Sequence, residues 1–209
     1  MTAAGRFIAF EGGEGVGKST QARLLVTALE ARGIACVLTR EPGGTPGAEV
    51  IRQMLLDPPG EGWDAEAEAL LFAAARADHV ARLIRPALAT GSWIVTDRFV
   101  DSSRAYQGAA GALSDGTVRA LHAIGSGGLL PDLTILLDAP ESRIAERLKS
   151  RDAHGSDAIG GRDADYHSTV NEAFRTFALQ EPERFAVVDG SGAVEDVHGW
   201  IMAAVAHLW

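Results

Sequence analysis

Several things are scarce in this sequence, and each shortage closes off a class of protein. There is one cysteine, Cys36, among 209 residues, so neither an intrachain disulfide nor a cysteine-based zinc site can be assembled within the chain. A reducing, cytoplasmic location is the expectation. Lysine occurs only at Lys18 and Lys149, and 28 acidic residues face 19 basic ones, a formal charge of −9. Binding along a nucleic-acid backbone depends on clustered cations that neutralise phosphates, so no nucleic-acid partner is expected. No apolar run approaches the length of a membrane span, and Met1 to Arg6 lead into a strand-like segment instead of an apolar leader. A soluble chain with no membrane partner follows as the expectation.

What remains is an ordinary globular composition, 46% apolar and 22% charged. The length suits one core and is short for two, which predicts a single domain over 1–209. Short apolar runs at 6–11, 34–39, 93–96, 133–137 and 185–188 read as strands. Between them lie helical patterns at 21–32, 48–56, 64–90, 115–124, 140–150 and 163–179, with a last one at 194–208. Parallel strands need crossover helices to return, so the alternation predicts an α/β fold: a doubly wound, five-stranded parallel sheet covered by helices on both faces. Residues 42–46 and 57–62 are rich in proline and glycine and read as loops. The stretch 151–162 (RDAHGSDAIGGR) lacks apolar periodicity and reads either as a small mobile lid or as a solvated helix connection.

Gly12-Gly13-Glu14-Gly15-Val16-Gly17-Lys18-Ser19 satisfies G-x-x-x-x-G-K-[ST] between an apolar strand and a helix, the context this phosphate-binding loop requires. Small residues let successive N–H groups turn toward phosphate oxygens, and the helix N-terminus adds positive potential. Lys18 is expected on the β and γ phosphates, and Ser19 as a magnesium ligand. In such sheets ligands bind beyond the carboxyl ends of the strands. Those ends carry Glu11, Arg40-Glu41-Pro42, Asp97-Arg98-Phe99 and Asp138. No N-K-x-D base-reading segment is present, and no D-x-x-G switch stands in a suitable place. Arginine beside an acid at two strand ends suggests a second anion site and phosphoryl transfer between two phosphorylated molecules.

Five segments, FEGGEGVGKST (10–20), TREPGGTP (39–46), LLFAAARADH (70–79), TDRFVDSSRAYQG (96–108) and PDLTILLDAP (131–140), span nearly the whole chain. Together they resemble the bacterial thymidylate kinases, P-loop enzymes that phosphorylate dTMP with ATP and Mg²⁺ and are usually homodimers. The resemblance implies that Gly12 to Thr20 hold ATP, that Phe72 stacks on thymine, and that Arg76 hydrogen-bonds the carbonyl edge of the base. Phe72 and Arg76 are four apart and so share a helix face. It further implies that Arg98 grips the dTMP phosphate and approaches the transferred group, while Asp97 joins Ser19 in supporting magnesium. Glu41 is implied near the acceptor phosphate and metal waters. Ser103, Tyr106 and Gln107 are implied at the nucleoside, with Tyr106 near the sugar position that distinguishes deoxyribose from ribose.

Two departures from the family pattern matter. Ser103 stands where many relatives carry asparagine, and Asp157-Ala158 stands where many carry Asp-Arg in the lid. With Glu14 in the P-loop, the resemblance implies that a lid arginine supplies the remaining cation. Arg147, Arg151 and Arg162 are the candidates, with Arg151 assigned to catalysis and Arg147 to the adenine side. Two other readings stay open on residues alone: a kinase for a different small substrate, and a P-loop ATPase that acts as a switch.

Overall fold

The computed structural model describes residues 5–140, 142–144, 147 and 161–209. Five strands form one parallel sheet in the order β2-β3-β1-β4-β5. They are β1 (Phe7–Glu11), β2 (Cys36–Arg40), β3 (Trp93–Asp97), β4 (Leu133–Asp138) and β5 (Phe185–Asp189). A central strand in such a sheet is covered on both sides and must be apolar at nearly every position. In β1, FIAFE, all five residues are buried, and the exception to apolarity is its last residue, Glu11.

Alternate side chains of β1 serve different layers. Ile8 and Phe10 pack with α1 (Lys18–Glu30) and α8 (Val194–Val205) through Leu25, Leu29, Val197 and Ile201. Phe7 and Ala9 face the other side, where Val80, Ile84, Ile94 and Phe99 complete the cluster. A third cluster joins Leu136 of β4 to Val170, Phe174 and Phe177 of α7 (Ala164–Gln180). α3 (Ala65–His79) packs against both α2 (Pro46–Leu56) and α6 (Asp115–Ser126). No helix of the described residues is long and apolar enough to cross a membrane.

The alternation read from the sequence is the one observed, with three differences. The long helix expected over 64–90 is broken: α3 passes through a π-helical turn at Val80–Ile84 into a short α4 (Arg85–Ala89). Pro86 lies at the start of α4; it has no N–H to donate and its ring crowds the carbonyl four residues back, which a wider turn relieves. The last helix ends at Val205 and tightens into a 3₁₀ turn at Ala206–Leu208. The third difference is an element with no apolar signature, α5 (Val100–Ser103) followed by a π-helix at Arg104–Ala109. Most of its polar residues are buried and paired: Asp101 accepts from Arg104 at 2.7 Å and from Arg184 at 3.1 Å. Of the helix expected over 140–150 only residues 140, 142–144 and 147 are described, and most of the expected lid, 151–160, lies outside the described residues.

Candidate active site

Parallel pairing places Phe10 of β1 beside Asp97 of β3, so the P-loop and the Asp97-Arg98 segment leave the sheet next to each other. At Gly12 φ is 133°, and a Cβ there would come within 2.4 Å of the Leu137 carbonyl oxygen. Gly17 caps α1 at φ 102°. Only glycine adopts such angles without strain, which lets the loop fold over the helix N-terminus. The Lys18 ammonium donates to the Gly12 and Gly13 carbonyls at 3.0 and 2.6 Å. Burial first, then the Arg98 charge, lowers its pKa to about 8 against the pull of Glu14, Asp97 and Glu11. Ser19, in the first turn of α1, donates its hydroxyl to the Asp97 carboxylate. A hydroxyl beside a carboxylate is a hard oxygen set that fits magnesium, which keeps most of its shell as phosphate oxygens and water.

Arg98 lies across the junction. Its Nη1 donates to the Gly12 carbonyl at 3.3 Å and to Ser102 Oγ at 3.0 Å, and its Nη2 to Glu14 at 2.5 Å and Tyr106 Oη at 3.1 Å. The guanidinium also stands 5.0 Å from the Tyr106 ring centroid. Burial opposes its charge, but Tyr106, Glu14, Asp97 and Glu11 outweigh burial and raise its pKa. The Tyr106 hydroxyl is pushed up to about 12, chiefly by burial.

A second polar cluster is built on α3. Arg76 Nε donates to Glu41 at 2.7 Å, and its Nη2 to Ser103 Oγ at 2.9 Å and the Phe99 carbonyl at 3.3 Å. His79 Nδ1 meets the other Glu41 oxygen at 3.0 Å, and its Nε2 meets Thr39 Oγ1 at 2.8 Å. Both oxygens of Glu41 are therefore engaged in a buried network with Arg76 and His79. Burial alone would raise the Glu41 pKa; Arg76 and His79 more than offset it and hold the carboxyl below its ordinary value. Phe72, one turn before Arg76, is half-buried and belongs to none of the three buried clusters. An aromatic held outside the core has a face to offer a planar ligand.

Gln107 Nε2 donates to Glu68 at 2.9 Å, and Glu68 in turn pairs with Arg162. Arg162 also donates to Tyr166 Oη, which donates to the Tyr106 carbonyl at 2.6 Å. A cavity of about 320 Å³ opens beside this ion pair, lined by Leu55, Trp63, Glu68 and Arg162 among others. Arg147 reaches the opposite side of the P-loop, donating to the carbonyls of Val16 at 3.3 Å and Gly190 at 2.9 Å. Arg151 lies outside the described residues.

The structure thus gathers Lys18, Ser19 and Asp97 at the P-loop, joins the P-loop to Tyr106 through Arg98, and sets Glu41 and Ser103 against Arg76 of α3, the helix that also carries Phe72. His79, Thr39, Glu68 and Ser102, which carry no motif signal of their own, hold the named residues in place. Glu11 stood at a strand end, but nothing in the sequence indicated what it bonds.

Three comparisons bear on this geometry. A family model described as thymidylate kinase matches residues 10–201. A thymidylate kinase of Rhizorhabdus wittichii is 54% identical over 204 residues, covering 98% of each chain, and one of Rhodopseudomonas palustris strain BisB18 is 49% identical over 203 residues, covering 96% of this chain and 88% of that one. The crystal structure of thymidylate kinase from Ehrlichia chaffeensis superposes with a TM-score of 0.79 at 29% identity, covering 97% of this chain and 99% of that chain. A P-loop set beside the Asp97-Arg98 strand end, and matches over nearly the full length, have one reading: the chain belongs to the thymidylate kinase family.

Proposed function

We propose that this enzyme transfers the γ-phosphoryl group of ATP to dTMP, giving dTDP and ADP for dTTP synthesis. The observation that carries this reading is the position of Arg98, whose guanidinium reaches the P-loop at Gly12 and Glu14 and the acceptor side at Tyr106. One cation between two anion sites suits a group passing from one to the other.

The acceptor phosphate oxygen is already ionised and attacks the γ phosphorus in line, so no general base is required. Catalysis is alignment and neutralisation of charge. The P-loop amides and Lys18 hold the triphosphate, and Arg98 neutralises the group in flight. Ser19 and Asp97 would hold Mg²⁺, which supplies further neutralisation on the phosphate oxygens. Phe72 stacks on the base. With Nε and Nη2 of Arg76 fixed by Glu41, Ser103 and the Phe99 carbonyl, its Nη1 is left to donate to the base carbonyl. A guanidinium has donors only, so this position accepts a 4-carbonyl and refuses a 4-amine. Arg151 is the catalytic arginine of a lid over 151–162, and Arg147 belongs to the adenine side.

The working assembly is a homodimer in the cytoplasm. The packed helices α2, α3 and α6 expose Val50, Met54, Leu70 and Ile124, apolar area that a second copy would cover; sedimentation should give twice the chain mass.

A coupled ADP-release assay with dTMP, dUMP, dCMP and AMP tests the assignment. dTMP should exceed dUMP by roughly tenfold to two-hundredfold, the range for one methyl group in an apolar pocket. Equal efficiency on dTMP and dCMP would exclude the role given to Arg76.

A further inference from the structure

Among the described non-glycine residues, Arg98 alone has a positive φ, 72°. A side chain in the left-handed region persists only where its surroundings over-determine it. Three hydrogen bonds do so here. The Arg98 N–H donates to the Phe10 carbonyl at 2.9 Å. The Arg98 carbonyl accepts from Thr96 Oγ1 at 3.0 Å. The following N–H, of Phe99, donates to Glu11 Oε1 at 2.8 Å. Glu11 also accepts from the Ser102 N–H at 3.0 Å and the Ser102 hydroxyl at 2.6 Å. That same Ser102 oxygen accepts from Arg98 Nη1, so Glu11 reaches the guanidinium as well as the backbone that carries it.

Glu11 and Thr96 are wholly buried, so both act at one remove from any nucleotide. We propose that Glu11, assisted by Thr96, is a positioning residue for phosphoryl transfer: it fixes Arg98 in its left-handed conformation and, through Ser102, aims the guanidinium between the P-loop and Tyr106. The inference rests on the reading of Arg98 given above. Packing alone does not account for a carboxylate at this place, since the other residues of β1 are apolar. Burial, with Asp101 adding to it, pushes the Glu11 carboxyl up to about 7, while Ser102, Arg98 and the Phe99 N–H pull it down. A buried acid of this kind burdens the fold, and its three donors all belong to the segment that presents Arg98.

The test is a double-mutant cycle on the full chain. Glu11→Gln keeps the shape and removes the charge; Thr96→Val keeps the shape and removes the hydroxyl. Each is made in the parent and in Arg98→Ala, with kcat and both KM values measured at saturating Mg²⁺. Glu11→Gln should lower kcat by about tenfold to hundredfold, the range for a lost charged hydrogen bond, and leave KM for ATP within about twofold. Thr96→Val should act in the same direction and less strongly. On the Arg98→Ala background neither should lower kcat further, because the residue they position is gone. An unchanged kcat in Glu11→Gln, or the same fold-loss with and without Arg98, would overturn the proposal and leave Glu11 a support of the fold. Full activity in Arg98→Ala would instead remove the reading of Arg98 beneath it. Should Glu11→Gln fail to fold, the Thr96→Val arm decides by the same criterion.

Discussion

Removing the Glu41 carboxylate should be among the most damaging single changes at this site, and its cost can be worked from the structure. Glu41 and Arg76 meet at 2.7 Å with both side chains about 4% exposed, and His79 on the other oxygen is wholly buried. In Glu41→Ala the guanidinium keeps its desolvation and loses its counter-charge. At an effective dielectric of about 20 and roughly 4 Å between charge centres, the lost attraction is about 4 kcal/mol. Breaking one side of a buried pair is measured at about 3–5 kcal/mol elsewhere, which agrees. For a chain of this size each kcal/mol moves Tm by about 2–4 °C, so a fall of roughly 6–20 °C is expected. Urea unfolding at pH 7 without nucleotide checks the energy, and calorimetry the temperature. The double variant Glu41→Leu/Arg76→Met should cost less than either single change, since no charge is left uncompensated. A Glu41→Ala cost below about 1 kcal/mol, or a double variant equal to the sum of the singles, would refute this account of the pair. The pH dependence has a definite sign. The folded pKa of Glu41 lies below the ordinary 4.5, so its stabilisation is complete above that value and is lost as pH falls through the folded pKa. Below about pH 4.5 the parent should lose stability with a steeper slope than Glu41→Gln.

Three further outcomes follow from the geometry. Lys18, lowered to about 8, should make kcat/KM for ATP decline above about pH 8, because that ratio reports the free enzyme; a flat profile to pH 10 would place the Lys18 titration elsewhere. Phe72→Ala should raise KM for dTMP by about fivefold to 150-fold, the worth of about 1–3 kcal/mol of base stacking, with KM for ATP and Tm nearly unchanged, and unfolding of this variant would instead make Phe72 a core residue. Arg151→Ala should lower kcat by about three orders of magnitude, whereas Arg162→Ala, which loses contacts to Glu68 and Tyr166, should act mainly on KM for dTMP; the reverse pattern would transfer the catalytic role to Arg162.

The strands and the P-loop were legible in the sequence because their causes are local. A strand buried on both faces needs a continuous apolar run, as FIAFE and LTILLD show, and a phosphate loop needs its glycines, lysine and serine within eight successive residues. The helices were legible from their period; the structure adds their caps, Thr45, Asp64, Ser114 and Asp163, which accept from N–H groups of the turns that follow. The residues proposed for the acceptor were legible only as a resemblance, since Glu41, the Phe72–Arg76 pair and Ser103 come from three separate segments and only Phe72 and Arg76 share a helical spacing. The helix from Val100 to Ala109 was invisible because polar Asp101, Ser103, Arg104 and Gln107 are buried along with Val100, Ala105 and Tyr106, which breaks the apolar period. Asp101 there is satisfied by Arg184, 83 residues away, and no local pattern announces a partner at that distance. The same holds for Arg98. Its identity marked it as a phosphate ligand, but its left-handed backbone is set by Glu11 on the neighbouring strand and Thr96 on its own. Local sequence determined where the chain turns and which residues could meet phosphate; sheet order, which brings β1 beside β3, decided which of them are held to do so.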